Sequence, residues 1–174
     1  MFDIINVTDL KPTDTSWWFS QIPRIEKQYN VKFIELSRID SLITETKNLL
    51  KNKTIPKYLF KCDNKITESN STYFDMNLEY SKLKPNETMS YNDSAMIIMD
   101  GELLKDSTIL YFLPRLIIAV FKEEGNEDLL LWRLESIDSS VLNPKKKSLL
   151  TKIIKALKEW ESLIEIIDKE ENDF

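Results

Sequence analysis

The chain has 174 residues, 42% hydrophobic and 30% charged, a length and balance that suit one well-packed domain spanning residues 1 to 174. Its formal net charge of −5 sets the molecule's own field against nucleic acid and anionic lipid. With no histidine there is no Ser-His-Asp or Cys-His nucleophile, no HExxH zinc site and no imidazole base, and two glycines cannot build a GxGxxG turn or a P-loop.

The opening residues, Met1 to Leu10, carry acids at Asp3 and Asp9 and no long apolar stretch. No secretory leader is expected, and the cytoplasm is the expected compartment. Ser16 suits the cap of a helix through Trp17, Trp18, Phe19 and Ile22. Pro23 either disturbs that helix or sits in the first turn of one continuing through Ile25 to Tyr29. Of two adjacent helical tryptophans, one points about 100° from the other, which leaves one available as an interface anchor. Val31 to Leu36 alternates roughly, as a short strand does, and Ser37 then suits the cap of a helix with Ile39, Leu42, Ile43, Thr46, Leu49 and Leu50 on one stripe, ending near Asn52. Residues 57 to 62 read equally as a short strand or a helical turn. The polar stretch from Asp63 to Tyr91 reads as loop with a helical piece around Phe74 to Leu83, a candidate contact region because long loops in compact domains are often functional.

From Asp93 the texture changes. Ala95 to Met99 forms a compact apolar run closed by Asp100 and Gly101, and a helix is expected there. Asp106 or Ser107 is the expected cap of a central helix, with Ile109, Phe112, Leu113, Leu116, Ile117 and Val120 on one stripe and Leu110, Ile118 and Phe121 on a second side. A helix apolar on more than one side belongs inside the domain. Pro114 should kink it, at a usual cost of about 3 kcal/mol or more, and Gly125 suits its left-handed closure. Glu127 to Ile137 predicts another helix, with Trp132 at its side. The last begins with Asn143 as cap and Pro144 as first residue, and continues a 3.6-residue stripe from Leu149 through Trp160 to Ile167. The expected fold is mainly α: a single-domain helical bundle around a kinked central helix, with one or two short strands in the N-terminal half.

No apolar run reaches the roughly 20 residues that cross a bilayer, so no membrane partner is expected. Cys62 is the one cysteine, has no partner base, and is read as incidental. Charge is placed unevenly: residues 1–92 hold 13 basic and 12 acidic side chains, residues 93–174 hold 11 and 17. The acids Asp93, Asp100, Glu102, Glu123, Glu124, Glu127 and Asp128 are the candidate partner-binding residues, suited to a basic protein. Some of the same carboxylates would serve a carboxylate-only, metal-dependent hydrolase, which needs only converging acids or oxygen ligands. A structural adaptor is a further alternative. No cofactor is expected.

The run from Leu110 to Ile118, with Tyr111-Phe112-Leu113-Pro114 at its centre and the later Asn143-Pro144 cap, resembles a family of uncharacterised bacterial proteins found beside polymorphic toxin genes. The resemblance covers Asp93 to Trp160. It implies an immunity protein rather than an enzyme: a cytosolic antitoxin that binds a cognate protein toxin, such as a nuclease, and blocks its active site.

Overall fold

The computed structural model describes Arg24, Lys27 and residues 36–51, 54–62, 72–85, 88–123 and 126–172. The segments predicted around Ser16 to Tyr29, including Trp17 and Trp18, lie outside the described residues apart from Arg24 and Lys27, which are helical. Val31 to Glu35, Glu124 and Gly125 lie outside them too. Within the described residues the fold is mainly α: α1 (Leu36–Leu50), α2 (Thr72–Tyr80), α3 (Tyr91–Met99), α4 (Asp106–Lys122), α5 (Glu127–Glu135), a 3-10 turn (Ser139–Val141) and α6 (Pro144–Asn172).

The central helix is α4. Its 17 residues alternate so little that Thr108 to Leu110, Phe112 to Ile117 and Ala119 to Phe121 are all buried. A cylinder apolar on every side must be covered on every side. It packs against α1 and α3, and Phe121 meets Trp160 of α6 edge-on at 5.9 Å. α4 continues without interruption through Pro114, whose ring nitrogen has no proton to give the Leu110 carbonyl. The predicted cap is corrected: Lys105 occupies the N-cap position, where its side chain does no capping, and Asp106 lies in the first turn.

α1 buries Ile39, Leu42, Ile43, Thr46 and Leu50 against α4 and α6. Thr46 donates its hydroxyl to the Leu42 carbonyl at 2.7 Å, so burial leaves that group satisfied. The helix begins at Leu36, which places Ser37 inside the first turn and not at the cap. α6 starts as predicted: Pro144 is its first residue, and Asn143 Oδ1 accepts from the Lys146 amide at 2.9 Å. It buries Leu149, Leu150, Ile153, Ala156, Leu157 and Trp160. Ion pairs tie its flanks, Lys152 to Glu45 of α1 at 2.9 Å and Lys158 to Glu135 of α5 at 2.6 Å.

Residues 57–62 are neither a helical turn nor part of a sheet. Phe60 forms one isolated antiparallel bridge with Leu104, through Lys61 N to Leu103 O and Lys105 N to Leu59 O, each 2.9 Å. Two buried polar side chains complete the attachment: Asn77 Oδ1 accepts from the Leu59 amide at 2.9 Å, and the Thr108 hydroxyl donates to the Leu59 carbonyl at 2.8 Å. The helical piece expected inside the 63–91 loop is α2, which starts at Thr72 and turns Asn77 and Tyr80 inward. Those two side chains face the core, while Asp75, Leu78 and Glu79 of the same helix are exposed.

Candidate partner interface

α3 and α5 are two nine-residue helices held side by side and pointing the same way. At their N-terminal ends Asn126 Nδ2 donates to the Tyr91 hydroxyl at 3.3 Å; at their C-terminal ends Arg133 Nε donates to the Gly101 carbonyl at 2.6 Å. Asn126 has φ 66°, the left-handed region that asparagine tolerates better than most residues, and spends its side chain on Tyr91 instead of on capping.

Arg133 is 2% exposed, and every nitrogen of its guanidinium donates a hydrogen bond. Besides Gly101 it donates to Ser136 Oγ at 2.9 Å, to the Leu104 carbonyl at 2.9 Å and to Asp106 Oδ1 at 2.6 Å. One side chain thus joins the turn after α3, the start of α4 and the end of α5. Gly101 makes room for it: a Cβ there would stand 2.9 Å from the Ile98 carbonyl oxygen and 3.2 Å from Arg133 Cγ. Arg115 is the second buried cation. It donates from Nε to the Met89 carbonyl at 2.8 Å and bidentately to Glu123 at 2.9 and 3.0 Å.

The candidate acids divide accordingly. Glu123 neutralises Arg115 from the end of α4, and Asp100 accepts a 2.5 Å hydrogen bond from the Tyr80 hydroxyl. Burial, reinforced by that carboxylate, pushes the Tyr80 phenol well above the usual tyrosine range. These two acids work inward. Asp93 caps α3 reciprocally with Ser90, whose Oγ donates to its carboxylate at 2.7 Å and accepts its amide at 3.0 Å. Glu102 and Asp128 are exposed, Glu127 is half-buried in the first turn of α5, and Glu124 lies outside the described residues. Asp138 is held below the usual carboxylate range by the Ser140 hydroxyl and amide.

The outward arcs of the two helices are not purely acidic. On α3 they show Met96 and Met99, 48% and 68% exposed; on α5 they show Leu129 and Trp132, 40% and 53% exposed. Each pair is spaced i, i+3 and so lies on one face of its helix. Leu103, 39% exposed, follows in the turn beside Glu102. Composition had marked the acids but not these apolar residues, which read as core in a sequence where most Met and Leu are buried. The signal available was Trp132, set off the stripe of Leu130, Leu131 and Leu134.

Elsewhere, Cys62 is exposed, and two open grooves flank α1, one between Asp40, Thr44 and Asn48, the other between Glu45, Leu49 and Pro144. Neither groove contains a candidate acid. Among the described residues no group of three or more His, Cys, Asp or Glu could hold a metal ion, and no helix is long and apolar enough to cross a membrane. No family model, curated protein or solved structure matches the chain.

Proposed function

We propose that the protein is a non-catalytic binding protein of the immunity type, which neutralises a basic toxin domain by forming a one-to-one complex over its cationic active surface. The observation that carries this reading is the charge of the two neighbouring segments that hold α3 and α5. From Ser90 to Leu104 and from Asn126 to Ser136 the chain holds six carboxylates and one cation, Arg133, which is buried. Glu102 and Asp128 stand exposed there, with Glu135 beside Lys158. Such a field attracts a surface built to hold phosphates and raises the association rate. Of the carboxylates that would serve a hydrolase, Asp100 is bonded to Tyr80 and Glu123 to Arg115.

The test is titration of the toxin encoded by the adjacent open reading frame. Its activity should fall to background at one equivalent of this protein, and cells producing both should grow. Activity undiminished by excess protein rejects the proposal.

A further inference from the structure

We infer that the paired outer faces of α3 and α5 are the docking surface, and that its occupant is an amphipathic helix of a cationic protein, seated with its apolar stripe on Met96, Met99, Leu129 and Trp132. This rests on the binding-protein reading above and adds the surface and the partner's chemistry. The bonds Asn126 to Tyr91 and Arg133 to Gly101 tie the two helices together at both ends, and each helix leaves one i, i+3 apolar pair exposed. A furrow between two neighbouring helices is the natural seat for a third, read by residues at helical spacing. Nine residues rise about 13 Å, which matches between two and three turns of a partner helix.

The side chains suit that use. Tryptophan is the residue most enriched among energetically dominant contacts, and methionine adapts its shape to whatever packs on it. Apolar groups gathered on a surface and rimmed by polar ones mark interaction sites more often than chance exposure does. The rim decides the occupant. Asp93 lies one helical turn before Met96, Asp128 one before Trp132 and Glu135 one after it, and Glu102 sits in the turn that follows α3. Glu135 is paired with Lys158 of α6 at 2.6 Å, and the one cation within these two segments, Arg133, is buried, so the exposed Glu102 and Asp128 carry the rim's charge. A second copy of the chain would bring two acidic rims together across a two-fold axis, whereas a helix with Lys or Arg flanking its apolar stripe meets opposite charge on both sides.

The experiment uses the full chain and three synthetic helical peptides of 14 residues with Leu at helical spacing and Lys, Gln or Glu elsewhere, with Trp fluorescence and amide chemical shifts as readouts. The Leu/Lys peptide should bind at low salt with shifts centred on α3 and α5, and the Leu/Glu peptide should not. The Met99→Ala/Trp132→Ala variant keeps the charge, and should weaken binding of the Leu/Lys peptide at least about tenfold. Glu102→Gln/Asp128→Asn keeps the apolar pairs, and should weaken the salt dependence instead. Val141→Ala, at an exposed apolar residue outside both helices, should leave binding unchanged, and circular dichroism of all variants should match the parent. Binding indifferent to Met99 and Trp132, equal binding of the Leu/Glu peptide, no binding, or a parent dimer dissolved by Trp132→Ala overturns the inference. Neutralisation of the toxin that persists in the Met99→Ala/Trp132→Ala variant would remove this surface while leaving the inhibitor reading intact.

Discussion

At the scale of residues, the molecule depends on two arginines that make long-range bonds. Arg133 reaches acceptors 27 to 32 residues back in the chain, and no local pattern around Leu130 to Leu134 announces them. A sequence reading takes an arginine on a helix as surface; here burial with four side-chain bonds reverses that. Removing the guanidinium leaves the Gly101 and Leu104 carbonyls buried without that donor, so Arg133→Met is expected to lower stability, by about 1–3 kcal/mol for each carbonyl so left, in urea denaturation. Gly101→Ala should cost about 1–3 kcal/mol, because the added methyl presses on backbone and on the arginine stem. The two changes touch the same contact, and the double variant should lose less than their sum. Glu123 and Asp100, chosen from composition as partner contacts, face the same limit. Reversing either charge should destabilise the fold, so only Glu102 and Asp128 give a clean test of docking. Tyr80 adds a pH dependence with a definite sign. Its folded value is raised, so its contribution is complete below the ordinary tyrosine value of about 10 and is lost as pH rises through the folded value. Absorbance titration at alkaline pH should show a late-ionising component in the parent that Tyr80→Phe removes.

At the scale of elements, legibility followed whether the signal was local. The start of α6 was written in Asn143 and Pro144, and its apolar stripe in the spacing from Leu149 to Trp160; both stand in the structure. Asn143→Ala should therefore cost about 1 kcal/mol, measurable as a lower thermal midpoint. The buried character of α4 was equally plain, since a helix apolar all round has nowhere else to go. Its start was misplaced because Asp106 looks like a cap and is instead drawn to Arg133, a competitor located in another helix. Residues 57–62 could not be assigned from six residues. What decides them is the attachment of Leu59 to Asn77 and Thr108, 18 and 49 residues away. Of the proposed interface, charge asymmetry marked the stretch of chain that holds α3 and α5, while the exposed apolar residues depend on which side of those helices the neighbours leave uncovered.

At the scale of the whole molecule, the acidic segments that hold α3 and α5 and the absence of histidine set how association should respond to solution conditions. Encounter with a cationic partner should slow as salt rises, because at 0.1 M the field is screened beyond about 10 Å. Stopped-flow rates measured across ionic strength would show this. Between about pH 5.5 and 7 almost no side chain at its ordinary value titrates in a histidine-free chain, so affinity should stay level there unless the partner itself changes charge. The clamp at Arg133 has a kinetic corollary. Trp132 is its immediate neighbour, mounted on backbone that is riveted to two other segments before any encounter takes place. A partner then meets a bracket already in its working shape, little freedom is surrendered on arrival, and recognition should proceed in one concentration-dependent phase without a slower rearrangement behind it.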